Sequence, residues 1–332
     1  MTKPLTEGGN VQIELDGNVH EAGRIDTSSM TKHMDAVAVL RKFFSMLHKQ
    51  IPEVGRELPH MSGSAEAMFD KQYCTTFSKC KTSVGDIDIQ LKEGSEESIE
   101  KQLKRLTGKQ VGTGTLLGYK KSVGQFITLW SFEQLGNIQI DFEFVEYSGD
   151  EPTAFEKFAH GSSFEDLEAG IKGVFSKYLL RACTSLALIP GTVIKVRSQK
   201  SGLIPMLSFS PKGLRQKYIR REDLDSTVKD TSYPDAYVED KETSFLKDMS
   251  TIIRLIFGTD YVAGQDLNDV KSFKGQVRLI KRYIKRDKWN IVLTGFERIL
   301  FGEGSQELYR GDKARSDAEK NVALSYLKQE LK

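Results

Sequence analysis

The sequence has few cysteines, no long apolar run and almost no net charge, and each absence excludes a class of protein. Three cysteines in 332 residues, an odd and low number, argue against a disulfide framework. No cysteine or histidine pair has the short spacing of a zinc site. No apolar run approaches the roughly 20 residues of a membrane helix, and no apolar signal core opens the chain. We therefore expect a soluble, cytoplasmic protein.

The charge is balanced overall but unevenly distributed. Lys and Arg number 48 and Asp and Glu 46, so the net charge of +2 gives no global signal for nucleic-acid binding. The segment from Lys271 to Lys288 nevertheless carries eight basic residues and one acid, with an apolar stripe at helical spacing. Such a helix suits a nucleic-acid backbone, and it could equally neutralise the acidic segment at 223–242.

Glycines cluster between Thr107 and Gly118, at positions 108, 112, 114 and 118. The segment lacks the Gly-Lys-Ser/Thr ending of a Walker loop and the strand–loop–helix setting of a dinucleotide fingerprint. We therefore predict a flexible loop here rather than a phosphate site.

The stretch Val84–Leu91 alternates strictly between apolar and polar residues, as a half-buried strand does. Asp86 and Asp88 fall on its polar face, with backbones about 6–7 Å apart at a rise of roughly 3.3 Å per residue. Both carboxylates can reach one or two hard cations, and without a cation they would repel each other. The alternative is a strand with a solvated acidic face.

A second stretch, Ile138–Val145, repeats the alternation and carries Asp141 on its polar face. Together with Gln125–Phe132 it predicts a β-hairpin. If this strand is a neighbour of the first, Asp141 can join Asp86 and Asp88 in one cluster.

A third feature precedes both strands, in the sequence His60-Met61-Ser62-Gly63-Ser64. Glycine allows the backbone to approach a phosphate closely, and a serine hydroxyl can donate a hydrogen bond to it. Gly-Ser, then Asp-x-Asp on a strand, then one Asp on a later strand resembles the DNA polymerase beta-like nucleotidyltransferase superfamily. The resemblance covers residues 34–147. Ser64 precedes Asp86 by 22 positions, longer than is usual in that family, so either 65–82 includes an insertion or this Gly-Ser is not the motif.

The resemblance implies a site and a chemistry. Gly63 and Ser64 would hold the phosphates of a nucleoside triphosphate such as ATP. Asp86 and Asp88 would bind two Mg²⁺ or Mn²⁺ ions, and Asp141 would help to bind one of them and activate the attacking hydroxyl. Oxygen ligands of this kind are those that such cations prefer.

The fold expected from these patterns is α/β (α+β), a nucleotidyltransferase-type mixed sheet with flanking helices followed by a mainly helical domain. We predict a polar N-terminal arm at 1–29, a catalytic domain at 30–222 and a helical domain at 241–332. Helices are expected at 30–51, 65–73, 93–106 and 162–188, and further helices from residue 245 onward. Strands are expected at 193–196 and 203–209, and a basic turn or short helix at 211–221.

Three functions remain open from the sequence. The first is transfer of a nucleotide to a nucleic-acid 3′ end, RNA in preference to DNA, with the basic helix as the binding surface. The second is the same chemistry on another acceptor, either as a synthase of a cyclic or linear oligonucleotide signal or as a nucleotidyltransferase acting on a small molecule or protein. The third is a catalytically inactive binding module, which the intact trio of aspartates argues against, because like charges held together cost stability.

Overall fold

The computed structural model describes residues 11–15, 17–55, 58–69, 83–161, 163–184, 203–210, 212–220, 237–238, 245–302, 305, 308 and 312–332. The protein is a mixed α/β chain with two compact units, Met1–Glu168 and Ala169–Lys332. Residues 169–220, assigned above to the catalytic domain, group with the second unit. The functional domain boundaries stay a prediction.

The first unit contains twelve described strands and five described α-helices. The strands are β1 Gln12–Leu15, β2 Asn18–Glu21, β3 Ile25–Asp26, β4 Met61–Ser62, β5 Ser83–Val84, β6 Asp86–Lys92, β7 Gln110–Val111, β8 Gly114–Ser122, β9 Gln125–Phe132, β10 Gly136–Val145, β11 Tyr147–Ser148 and β12 Glu151–Pro152. The helices are α1 Met30–His48, α2 Gly63–Phe69, α3 Glu96–Leu106, α4 Ala154–His160 and α5 Phe164–Glu168.

A six-stranded mixed sheet in the order β4-β6-β10-β9-β8-β7 forms the centre of this unit. The strands β6 and β10 run parallel, and the other pairs are antiparallel. Both acidic strands and the β9–β10 hairpin were predicted from the alternation, and the structure confirms them. Parallel neighbours need a long connection, which α3 and the strands β7 to β9 supply.

One face of the sheet is apolar and is covered by helices. Isoleucines 87 and 89 of β6 and 138 and 140 of β10 are fully buried in one core cluster. The helix α1 buries Leu40, Phe43, Phe44 and Leu47 in the same cluster, and α3 buries Ile99, Leu103 and Leu106. The polar side chains of the two acidic strands therefore lie on the opposite face, away from this core.

The glycine-rich segment that predicted a flexible loop instead forms β7 and the start of β8. Its glycines serve close packing in the sheet. A Cβ at Gly114 would lie 2.8 Å from the Phe132 ring, and one at Gly118 would lie 2.7 Å from Cγ2 of Ile13. Gly112 forms the tight turn, with φ +59°. The loop prediction was wrong because these glycines make room for neighbouring side chains.

Residues before α1 contribute to the sheet structure and are more than an arm. The strands β1 and β2 form an antiparallel hairpin, with Ile13 packed over Gly118 of β8. The strand β3 pairs with β5, immediately before the first acidic strand. The sequence predicted only a polar arm in this region.

The second unit is mainly helical, with one small sheet among its described residues. Its helices are α6 Gly173–Cys183, α7 Met249–Phe257, α8 Gly264–Asp269, α9 Phe273–Tyr283, α10 Trp289–Phe301 and α11 Lys313–Glu330. The sheet has the order β13-β14-β15, with β13 Leu203–Ser210, β14 Gly213–Arg220 and β15 Tyr237–Val238. No described helix combines the length and apolar character that membrane crossing requires.

Two predictions for this part of the chain were wrong. The basic segment at 211–221 was expected to be a turn or short helix, but its residues 213–220 form a strand that pairs with β13, and residues 218 and 219 also pair with β15. The single helix expected from 162 to 188 is divided into α5 and α6, because Gly170 adopts the left-handed region with φ +71°. The predicted strand at 193–196 and the C-terminal end of the predicted helix, after 184, lie outside the described residues.

Candidate metal and nucleotide site

Three aspartates from two parallel neighbouring strands converge on the polar face of the sheet. Asp88 of β6 lies directly beside Asp141 of β10 in the strand register. One carboxylate oxygen from each of Asp86, Asp88 and Asp141 lies within 4.8 Å of the others. Asp86 and Asp88 are half-buried and Asp141 is buried. The structure therefore brings together the three carboxylates that were singled out from separate strands.

Burial makes the charge of Asp141 costly. The side chain is 6% exposed. Burial raises its pKa from the ordinary value of 3.8 to about 8, a hydrogen bond from Gln139 opposes the rise, and the charges of Asp86 and Glu143 add to it. A bound cation would reverse this balance, because it favours the ionised form. The donor set consists of carboxylate oxygens at short mutual distances, which fits Mg²⁺ or Mn²⁺.

Gly63 lies against this cluster despite its long separation from Asp86 in the sequence. The strand β4 pairs with β6 so that Ser62 is opposite Asp88. Gly63 follows with φ +66°, and a Cβ there would lie 3.1 Å from Oδ2 of Asp88. Only glycine adopts this conformation readily and leaves that space open.

Ser64 is the second residue of α2, one position after Gly63. The hydroxyl on which its predicted phosphate contact depends lies outside the described side chains. An insertion relative to the family was expected within 65–82, and residues 70–82 of that range also lie outside the described part of the chain. The phosphate-binding role of Gly63 and Ser64 stays a prediction.

A fourth carboxylate, Glu143, continues the polar face beyond Asp141. It accepts a hydrogen bond from Oγ of Ser62 at 3.3 Å. Nδ1 of His160, the last residue of α4, lies 3.0 Å from Oε2 of Glu143, and Nε2 lies 3.5 Å from Oε2 of Glu156. The alternation of β10 could have identified Glu143, but no sequence spacing indicated His160.

Gln139 is a further site residue that sequence reasoning missed. It is 5% exposed, and its Nε2 donates to both oxygens of Asp141, at 3.1 and 2.9 Å. Its Oε1 accepts a hydrogen bond from the backbone N–H of Val11 at 3.3 Å. The polar position was visible in the alternation of β10, but the contact with residue 11 depends on the tertiary fold.

The predicted nucleic-acid surface, from Lys271 to Lys288, has several of its charges engaged within the second unit. Arg282 pairs with Asp266 and Asp269, Arg278 pairs with Asp269 at 2.9 Å, and Lys281 pairs with Glu330. These partners differ from the acidic segment at 223–242 that was considered for this role. Nucleic-acid binding by this helix stays a prediction.

Comparison with known proteins provides no independent assignment. No protein-family model, curated protein or solved structure matches the chain.

Proposed function

We propose that the protein is a metal-dependent nucleotidyltransferase that transfers a nucleoside monophosphate from a nucleoside triphosphate to a hydroxyl acceptor. The observation that supports it best is the convergence of Asp86, Asp88 and Asp141 within 4.8 Å. Under this proposal the six-stranded mixed sheet and its helices form a nucleotidyltransferase-type catalytic domain. The resemblance in the order Gly-Ser, Asp-x-Asp, Asp selects this chemistry from others that carboxylates could perform.

The three aspartates would hold one or two Mg²⁺ or Mn²⁺ ions. When bound, these cations neutralise the carboxylates and stabilise charge on the phosphates and the leaving group. Gly63 would allow the triphosphate to approach Asp88, in the space that a Cβ would otherwise fill. The Ser64 hydroxyl would donate a hydrogen bond to a phosphate oxygen.

The reaction forms one bond between the acceptor oxygen and the α-phosphorus. It breaks the bond between that phosphorus and the oxygen bridging to the β-phosphate, and pyrophosphate leaves. The acceptor hydroxyl loses its proton, and an Oδ atom of Asp141 is the candidate to receive it. A bound cation favours the ionised form of Asp141, and the ionised carboxylate is the form that can accept this proton as a general base.

The first acceptor to test is a nucleic-acid 3′ end, because the helix α9 and the residues that follow it are strongly basic. A nucleotide, small molecule or protein is the second candidate. The observation that favours it is the pairing of Arg278, Lys281 and Arg282 with carboxylates of the same unit, which lowers the charge available to phosphates.

The test is a product screen with the full chain. Each labelled ribonucleoside triphosphate is incubated with Mg²⁺ or Mn²⁺, with and without a short RNA or total tRNA. Asp88→Asn should abolish turnover, whereas Asp150→Asn, an exposed carboxylate in a turn, is the matched control and should retain it.

Each outcome of the screen has a definite meaning. Lengthened RNA that disappears in Asp88→Asn supports terminal transfer. Small labelled products formed without RNA support a signal or small-acceptor enzyme. Retained activity in a folded Asp88→Asn variant would move the active site elsewhere. No turnover and no metal-dependent nucleotide binding would leave the inactive binding module.

A further inference from the structure

The side chain of Gln139 links the carboxylate of Asp141 to the backbone of Val11, at the start of the N-terminal strand region. Nε2 of Gln139 donates to both Oδ atoms of Asp141, at 3.1 and 2.9 Å. The amide group is planar, so its Oε1 points away from Asp141. There it accepts the backbone N–H of Val11, 128 residues earlier in the chain, at 3.3 Å.

The Val11 N–H determines which way the Gln139 amide faces. An amide can rotate by half a turn and exchange its oxygen and nitrogen. In the rotated state Oε1 would face the oxygens of Asp141, and Nε2 would face the N–H of Val11. With Asp141 in the ionised form that binds a cation, both contacts would then be between like partners, acceptor to acceptor and donor to donor. The orientation that makes both hydrogen bonds is therefore the one in which Nε2 of Gln139 faces Asp141 and Oε1 faces Val11.

This orientation serves a carboxylate that binds cations. Each carboxylate offers about four lone-pair sites, so two hydrogen bonds from Gln139 leave others for a metal. The hydrogen bonds fix the plane of a carboxylate that is almost fully buried. Groups that orient metal ligands through hydrogen bonds typically contribute a factor of about 10–100 to metal affinity.

The position of Val11 is set by packing and by backbone pairing. Its carbonyl accepts the N–H of Ala22 at 3.0 Å, which closes the β1–β2 hairpin. The next inward residue, Ile13, is buried over Gly118, where a Cβ would lie 2.7 Å from Cγ2 of Ile13. The absence of a side chain at residue 118 therefore allows β1 to approach the sheet closely enough for Val11 to reach Gln139.

We infer that Gln139 is a positioning residue for the metal ligand Asp141 and that the N-terminal segment 11–15 is part of the active site through the backbone N–H of Val11. The inference rests on the proposed function in one respect, namely that Asp141 binds a divalent cation. It assigns to the N-terminal segment a role in metal affinity that its sequence does not suggest.

The experiment measures Mn²⁺ affinity of the full chain by titration calorimetry, without nucleotide or turnover. Gln139→Leu removes the Nε2 donor with little change in volume and should weaken binding about 10–100-fold. Val11→Pro removes the N–H, together with the valine side chain, and should weaken binding about 2–12-fold, the value of one hydrogen bond. Val11→Ala, the matched control, loses side-chain packing but keeps the N–H, so it should bind as the wild type does.

A second measurement reports the hydrogen bond itself. Amide hydrogen exchange at Val11 should accelerate in Gln139→Leu, because the acceptor is gone, by about 2–12-fold. Thermal melting of each variant shows whether the fold is retained. If Gln139→Leu unfolds, the comparison of Val11→Pro with Val11→Ala still decides the question.

The outcomes separate this inference from the proposed function. If the wild type binds Mn²⁺ and Asp141→Asn loses it, but Gln139→Leu and Val11→Pro bind normally, the positioning role is refuted and the metal site stands. If the wild type binds no Mn²⁺, the metal site fails, and the positioning role fails with it, whatever the exchange rate at Val11. Weaker binding in Gln139→Leu and Val11→Pro but not in Val11→Ala supports the inference.

Discussion

Replacing Asp141 by asparagine should stabilise the protein in the absence of divalent cations while abolishing the site. Asp141 is buried, and burial raises its pKa from 3.8 to about 8. Below about pH 4 Asp141 is protonated in both the folded and the unfolded state, so it does not lower the free energy of unfolding. As the pH rises toward 8, the unfolded state releases its proton while the folded state keeps it, so stability falls. Above about pH 8 the cost is constant.

The size of the effect follows from the width of this window. Each pH unit between the two pKa values lowers the free energy of unfolding by about 1.4 kcal/mol. From 3.8 to pH 7 the cost accumulates to about 4 kcal/mol. Asparagine carries no charge, but it offers Gln139 only one acceptor oxygen where aspartate offers two. The expected net gain for Asp141→Asn at pH 7 is therefore about 2–4 kcal/mol.

The assay is thermal and urea unfolding in EDTA at several pH values between 4 and 9. For a unit of this size the gain corresponds to a rise in Tm of about 5–15 °C at pH 7, shrinking toward zero near pH 4. Asp150→Asn, which removes an exposed charge, should change Tm little. Added Mg²⁺ should stabilise the wild type and narrow the difference, because the asparagine variant lacks the ligand. An equal or lower Tm for Asp141→Asn at pH 7, or a gain that does not vary with pH, would refute the reasoning.

Three further substitutions probe other parts of the structure. Gly63→Ala places a Cβ at a positive φ and 3.1 Å from Oδ2 of Asp88, so it should lower the free energy of unfolding by about 1–2 kcal/mol in urea and weaken Mn²⁺ binding in calorimetry. Unchanged Mn²⁺ affinity would place the glycine turn outside the site. Gly114→Ala would place a Cβ 2.8 Å from the Phe132 ring and should lower the free energy of unfolding by about 1–3 kcal/mol in the same assay. An unchanged free energy of unfolding would mean that the neighbouring side chains shift at little cost. Asp266→Ala removes the buried carboxylate that pairs with the partly exposed Arg282, so it should cost about 1–3 kcal/mol and lower the Tm. An unchanged Tm would show that this ion pair contributes little.

The alternation of polar and apolar residues predicted the part of the fold that holds the aspartates. In both acidic strands the isoleucines face the helices and the aspartates face away, as a period of two residues requires. Trp130 of β9 is fully buried, and its Nε1 donates to Oγ1 of Thr128. Side-chain alternation is a local property, so the sequence reveals it without knowledge of distant contacts.

Glycine was the residue whose meaning the sequence did not reveal. In residues 107–118 the glycines predicted a loop, but Gly114 and Gly118 lie in a strand and make room for other side chains. At Gly170 the opposite error occurred, because a helix was expected to continue where the backbone turns left-handed. A glycine tolerates both uses, and the choice between them depends on which neighbours pack against it.

The sequence alone determined which side chains share a strand face, and therefore that Asp86 and Asp88 form a pair. Only the tertiary structure decided that β6 and β10 are neighbours in a register that adds Asp141, because strand pairing over about 50 residues leaves no local signal. It alone also brought Gly63 beside Asp88 and the N–H of Val11 to Gln139. These contacts join residues far apart in the chain, and they form because the sheet and the β1–β2 hairpin bury their apolar faces together.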